Sequence, residues 1–255
     1  MLCAVPPIDY YSTQGWGAET MPLRHRQIVA GRLLATTVTE LAGGRGGDPV
    51  EVLDVGCGDG SFLAHLAGLV GDVPVRWVGI DYSPDQLAAA SRLPYEFHRC
   101  DLDQGIPLPD ASLDVVHAAE VIEHLYDPDR LLEECARVLR PGGHLLVTTP
   151  NLQAWYNRLL FLAGVQPIFY ETSSRSTEVG AGPLRRLKKG TLPVGHLRLF
   201  NRTALVDLMR REGFEPTIVR GARFHEIPAA LTWLEALICH RSSLASILVI
   251  QAVRH

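Results

Sequence analysis

Apolar positions along this chain follow two rhythms, and the two alternate. Residues 24–42 carry Ile28, Val29, Leu33, Leu34, Val38 and Leu41 at three- and four-residue steps, which predicts a helix. The run Gly43-Gly44-Arg45-Gly46-Gly47-Asp48-Pro49 ends it as a loop. Short apolar runs then predict strands at Val50–Val55, Val75–Ile80, Tyr95–Cys100, Leu113–Ala118 and His144–Thr149. Helical stretches separate them at 60–70, from Ser83 onward and at 129–139. Ser83 stands as an N-cap with Pro84 in the first turn, and Arg140-Pro141-Gly142-Gly143 stops the 129–139 helix.

Strands alternating with helices imply a parallel sheet covered on both faces. The rhythm breaks at Pro150. Beyond the break, Asn201–Glu212 predicts a helix, and Phe214–Arg220 and Ala245–Val253 predict two more strands. The expected fold is therefore α/β: a doubly wound, mostly parallel seven-stranded sheet with helices on both faces. The expected organisation is one domain over 1–255. It comprises an N-terminal helical or lid segment (1–49), a ligand-binding core (50–150), an insertion on the substrate side (151–195) and the C-terminal part of the sheet (196–255). Tyr10, Tyr11 and Trp16 are candidates to close the far side of a cleft.

Composition narrows the class. The net charge is −4, which disfavours nucleic-acid binding by the surface as a whole. The longest apolar stretches, 152–170 and 227–239, are interrupted by Arg158 and Glu235, so no membrane span is expected. The N-terminus lacks the basic and apolar regions of a secretory signal. Five scattered cysteines without C-x-x-C spacing suggest unpaired thiols and a cytoplasmic location.

The strongest local signal is Asp54-Val55-Gly56-Cys57-Gly58-Asp59-Gly60-Ser61, where a buried strand runs into a glycine loop that opens a helix. Such a loop lets a ligand lie against the backbone and the helix N-terminus. Ser61 occupies the third glycine's place of a dinucleotide fingerprint, and Asp54 suits a ligand with an ammonium group better than a pyrophosphate. Asp81 ends the second strand, about 20 residues after the loop, where a carboxylate can accept both hydroxyls of a ribose. Asp101 ends the third, placed to accept from an adenine amino group. Ligands of open α/β sheets bind beyond the carboxyl ends of the strands, so the three acids are expected to face one crevice.

These pieces occur in order with Gly79-Ile80-Asp81-Tyr82-Ser83, Asp101-Leu102, Leu113-Asp114-Val115-Val116, Glu120-Val121-Ile122-Glu123-His124-Leu125 and Leu139-Arg140-Pro141-Gly142-Gly143. Over residues 50–150, and more weakly over 195–253, the chain resembles the class I S-adenosylmethionine-dependent methyltransferases, with the ubiquinone-pathway O-methyltransferases as the nearest branch. The resemblance implies a Rossmann-like fold and S-adenosylmethionine as cofactor. Gly56, Cys57, Gly58 and Gly60 would line its methionine part, with Asp54 near the amino group and Glu120 beside it. Asp81 and Tyr82 would hold the ribose, and Asp101 and Leu102 the adenine.

Methyl transfer from a sulfonium is an in-line displacement in which the cofactor carries the activation. An oxygen nucleophile still needs a base or a metal. His124 and His196 are the candidate catalytic groups. The motif Glu120-x-x-Glu123-His124 also resembles one in metal-using branches of the superfamily, where a later histidine falls near His196. Glu120, Glu123, His124 and His196 are thus candidate ligands of a divalent metal such as Mg²⁺. The same motif occurs without metal, His124 then ordering the loop or acting as base. His65, His98, His117 and His144 fall within predicted elements and are expected to be packed or surface residues.

Residues 151–202 hold eight basic residues against Glu171 and Glu178, a net +6, so the remainder carries −10. Asn151–Gly164 is an amphipathic helix candidate with Trp155, Leu159, Leu162 and Ala163 on one side. Segment 151–192 suits a lid, a peripheral membrane contact, an RNA-binding surface or a plain solvated loop. The expected function is methylation of a hydroxyl on a small molecule or a lipid- or glycan-linked acceptor. The alternatives are an RNA ribose or carbon/nitrogen methyltransferase, and a non-catalytic cofactor-binding regulator.

Overall fold

The computed structural model describes residues 23–186, 188–224 and 229–255. Tyr10, Tyr11 and Trp16 lie outside the described residues. The sheet is laid around β1 (Val50–Val55), an almost wholly buried apolar run. It pairs in parallel with β2 (Val75–Asp81) on one side and β4 (Leu113–Ala119) on the other. β3 (Glu96–Arg99) extends the sheet beyond β2, and β5 (Leu139–Pro150) extends it beyond β4, both in parallel. β7 (Ile247–Arg254) runs antiparallel between β5 and β6 (Phe214–Ala222), giving the order β3-β2-β1-β4-β5-β7-β6. Strand order reverses between β1 and β4, the switch point at which open α/β sheets form their ligand crevice.

Alternation along β1 assigns the two faces. Leu53 and Val55 join Val116, Leu145 and Val147 in one core, closed by α4 (Pro128–Val138) and α6 (Arg202–Arg211). Val50 and Val52 join the other, closed by α1 (His25–Gly43) and α2 (Ser61–Val70). Side-chain caps start three helices. Ser83 accepts from Gln86 N at 3.4 Å at the head of α3 (Pro84–Ala90), Asp127 accepts from Arg130 N at 3.1 Å, and Asn201 accepts from Ala204 N at 2.9 Å.

Two expectations are corrected. The Arg140–Gly143 stretch does not separate helix from strand, because β5 already begins at Leu139, paired with Leu113. The register shifts there, and Gly143 lies so close to the strand that a Cβ would meet Arg140 O at 2.8 Å. The helix expected over Asn151–Gly164 is shorter, α5 (Trp155–Leu162), because fully buried Asn151 is consumed as a clamp. Its Nδ2 donates to Ala245 O at 2.8 Å and its Oδ1 accepts from Gln153 N at 2.9 Å. On α5, Leu159 and Leu162 are exposed, while Tyr156 and Asn157 are buried. A seventh helix, α7 (Thr232–Ile238), has too few residues to show a period in sequence.

Candidate active site

The glycine loop follows directly from β1. Gly56, Gly58 and Gly60 have φ of 71°, 55° and 75°, a region that L side chains rarely adopt. Gly56 has a second constraint, since a Cβ would stand 2.6 Å from Val121 Cγ2. The turn after β4 therefore lies directly against the loop, which joins the two halves of the site. Gly56 N and Cys57 N both donate to Ile80 O, at 2.8 and 3.0 Å.

Asp81 braces the loop. It accepts from Gly58 N at 2.9 Å through one oxygen and from Ser83 N at 2.8 Å through the other. A carboxylate oxygen has two lone pairs, so each retains capacity for a ligand hydroxyl. Burial raises the Asp81 pKa above the ordinary carboxylate value, against the pull of these hydrogen bonds. Tyr82, next along, has the Arg99 guanidinium 5.2 Å from its ring centre. Asp101 caps a 3₁₀ turn over Leu102–Gln104, accepting from Asp103 N at 3.2 Å and Gln104 Nε2 at 3.0 Å. It lines a cavity of about 500 Å³ with Arg99, Gln104 and Ile106.

Asp54 is the penultimate residue of β1, just before the loop. It is buried beside α2, with Oδ1 2.7 Å from His117 Nδ1, and Phe62 stacks on that imidazole at 4.4 Å. β1 and β4 set Asp54 opposite His117 in register, so the pair follows from strand alternation. Cys57 is also buried, and burial with Asp54 nearby pushes its thiol pKa up, away from nucleophilic use.

The turn after β4 carries the second half. Glu120 sits at φ 55°, a left-handed conformation unusual for glutamate. This directs its carboxylate to Thr148 Oγ1 at 3.0 Å and to Arg26 Nε of α1 at 3.7 Å. Glu123 is fully buried. Its Oε2 accepts from Thr149 Oγ1 at 3.0 Å, while Oε1 has no hydrogen-bond partner among the described residues. Burial, then the nearby Glu120, raises the Glu123 pKa well above the carboxylate range.

His124 and His196, 72 positions apart, stack at 4.9 Å between ring centres. His124 Nδ1 lies 3.2 Å from Gly195 O, and His196 Nδ1 lies 3.2 Å from Phe169 O. Each contact favours the tautomer with the proton on Nδ1 and a lone pair on Nε2. Burial lowers both pKa values, and His124 beside it helps to take His196 down to about 4. One donor atom from each of Glu123, His124 and His196 lies within 4.8 Å of the others. Glu120, the fourth candidate ligand, is outside this group of three but close enough to act on the charge of each. Its backbone conformation turns it to Thr148 and Arg26 instead.

Two residues that sequence reasoning missed hold this arrangement. Glu171 accepts from three consecutive backbone N–H groups, Val194 at 2.6 Å, Gly195 at 2.7 Å and His196 at 2.9 Å. Leu197 N and Arg198 N then donate to Glu123 O at 2.8 and 3.1 Å. The insertion thus folds back and straps His196 onto the Glu123–His124 turn. The one available signal was that Glu171 is one of two acids in a strongly basic segment. The other missed residue, Arg26, had none, because its helix pattern reports only burial.

A doubly wound sheet in this order, with a glycine loop at its switch point and a carboxylate at the end of β2, is the class I methyltransferase architecture. The chain belongs to the family described as "Methyltransferase domain", which matches residues 23–218. A probable S-adenosylmethionine-dependent methyltransferase of Mycolicibacterium smegmatis is 37% identical over 169 residues, 65% of this chain and 52% of that protein. A ubiquinone biosynthesis O-methyltransferase of Bradyrhizobium diazoefficiens is 34% identical over 123 residues, 46% of each. The chain spans about half the length of these curated relatives. Among solved structures, an S-adenosylmethionine-dependent methyltransferase from Mesorhizobium loti superposes with a TM-score of 0.55 at 21% identity, over 90% of this chain and 98% of that one. One from Methanosarcina mazei gives 0.56 at 23% identity, over 81% and 92%. These two likenesses concern the fold. No helix among the described residues is long and apolar enough to cross a membrane.

Proposed function

We propose that the chain transfers the methyl group of S-adenosylmethionine to a hydroxyl oxygen of a small or lipid- or glycan-linked acceptor. The observation that carries this reading is the Glu123–His124–His196 cluster, held against the glycine loop through Val121. Asp81 takes the ribose hydroxyls, the Gly56–Gly60 backbone takes the methionine part, and Asp101 and Leu102 border the adenine. Asp54, at the end of β1 before the loop, would lie near the cofactor's amino group. A cofactor held in this way would lie beside the turn that follows β4, whose Val121 packs against Gly56.

The acceptor hydroxyl must lose a proton as its oxygen attacks. His196 is neutral at pH 7, with Nε2 as its basic atom, and is the group that receives this proton. Its low pKa makes it a weak base when alone. The donor set also fits a divalent cation: two imidazoles oriented through Nδ1 and one buried carboxylate oxygen without a partner. Two imidazoles and one carboxylate suit Mn²⁺, Fe²⁺ or Zn²⁺ better than Mg²⁺, which prefers oxygen ligands. When such an ion is held by Glu123, His124 and His196, His196 Nε2 is a ligand and no longer the base; the ion would instead lower the pKa of the acceptor hydroxyl so that its proton is lost to solvent. The relatedness to ubiquinone biosynthesis O-methyltransferases supports an oxygen acceptor.

The test is a transfer assay with methyl-labelled cofactor and panels of hydroxyl and amine acceptors, run with and without chelator. Labelled hydroxyl products are expected, together with calorimetric cofactor binding that Asp81→Ala abolishes. Transfer to amines alone would overturn the oxygen assignment, and transfer unaffected by chelator would remove the cation.

A further inference from the structure

α5 and α7 meet where Trp155 Nε1 donates to Glu235 Oε2 at 2.5 Å. Glu235 is buried and also accepts from Ser246 Oγ, so this junction is fixed. Both helices nevertheless expose large apolar side chains beside it. Leu162 is 86% exposed, Trp233 and Leu237 are 66%, and Leu159 and Phe161 are 57%. Scattered exposed leucines are ordinary, but five large apolar groups on two adjoining short helices mark a contact surface.

Charge identifies what the surface meets. Arg158 on α5 donates to Ser243 O at 3.1 Å, which brings it to the turn holding Arg241, and both are exposed. Beyond the other end of α5, Gln166 N donates to Gly180 O at 3.0 Å, and Gly182 packs on Val165. Gly182 lines one pocket with Arg185, Arg186 and Lys189. The one acid among them, Glu178, is already paired with Arg185 at 3.0 Å. Apolar groups with exposed arginines nearby, and an indole among them, match the interfacial layer of an anionic bilayer.

We propose that this face docks the protein on an anionic lipid surface without spanning it. The face also adjoins the acceptor side. Phe224 N donates to Glu235 Oε1 at 3.4 Å, Phe224 meets Phe169 edge to face at 4.8 Å, and Phe169 meets His196 edge to face at 5.7 Å. An apolar wall thus runs from the docked helices to the histidine pair, and an acceptor dissolved in the bilayer enters along it. The docking itself does not depend on the proposed chemistry.

The test is sedimentation of the full chain with vesicles of phosphatidylcholine alone or with 30% phosphatidylglycerol, while indole emission is followed. Binding is expected only to the anionic vesicles, with a blue shift and a steep fall on adding salt. Trp233→Ala and Leu162→Glu should each weaken binding at least tenfold without altering thermal unfolding. Absence of sedimentation with anionic vesicles, or binding indifferent to both substitutions, would overturn the proposal. So would a dimer, seen by analytical ultracentrifugation, that Leu162→Glu dissociates, since the face would then join two copies.

Discussion

Removal of the Glu171 carboxylate tests whether His196 owes its position to the insertion. Three backbone N–H groups converge on it at 2.6, 2.7 and 2.9 Å. Hydrogen bonds to a charged group contribute about 1.5–3 kcal/mol each when well buried. Glu171 is only partly buried, so water replaces some of this, leaving about 2–4 kcal/mol for the three together. The bonds from Leu197 and Arg198 to Glu123 O persist, so the strap stays attached while the 194–196 segment loosens. Glu171→Ala should therefore lower kcat about 10- to 100-fold, each tenfold being about 1.4 kcal/mol. Glu171→Gln keeps one carbonyl oxygen for Gly195 and His196 and should lose only a few-fold. Cofactor affinity should be unchanged in both, because Glu171 has no bond to the glycine loop. Labelled-methyl transfer, calorimetry with S-adenosylmethionine and hydrogen exchange of amides 194–196 read these effects separately. Unchanged turnover with unchanged exchange in Glu171→Ala would refute the positioning role, as would a parallel loss of cofactor affinity.

Two further outcomes follow from burial. Cofactor affinity should be retained above the raised pKa of Asp81 and lost as pH falls through it, because the protonated acid loses acceptor capacity; the midpoint should lie above the ordinary carboxylate value. Titration calorimetry across pH checks this, and Asp81→Asn should bind weakly with a flat profile. Leu53→Ala, in the fully buried centre of β1, should cost about 2–5 kcal/mol in urea unfolding, whereas Leu162→Ala should stay within about 0.5 kcal/mol. Equal costs at the two positions would contradict the burial pattern.

The strands and α1 were legible because each carries its own signal: a buried strand is an apolar run, and a packed helix is a period of three and four. β1 was read to the residue, and Ser83 capped the helix it was expected to cap. The errors cluster where burial depends on partners distant in sequence. Asn151 reads as the head of a helix because asparagine is a good N-cap, yet Ala245 claims its side chain. Leu159 and Leu162 share a helical face, and whether such a face is covered depends on which distant elements reach it, so its exposure is seen only in the fold.

The histidine cluster shows the same limit from the other side. A local motif supplied Glu120, Glu123 and His124, but spacing alone cannot separate Glu120 from the rest. That separation comes from a left-handed backbone at Glu120 and from Arg26 on a helix about ninety residues earlier. His196 was foreseen only through the resemblance, because nothing local distinguishes it from other histidines. What brings it to His124 is a carboxylate, Glu171, 25 residues upstream, satisfying three successive amides. The glycine loop and the acidic strand ends are short-range features that a sequence displays directly. The acceptor side is assembled from long-range hydrogen bonds between a strand-end turn and a basic insertion, so its residues are seen together only once the chain is folded.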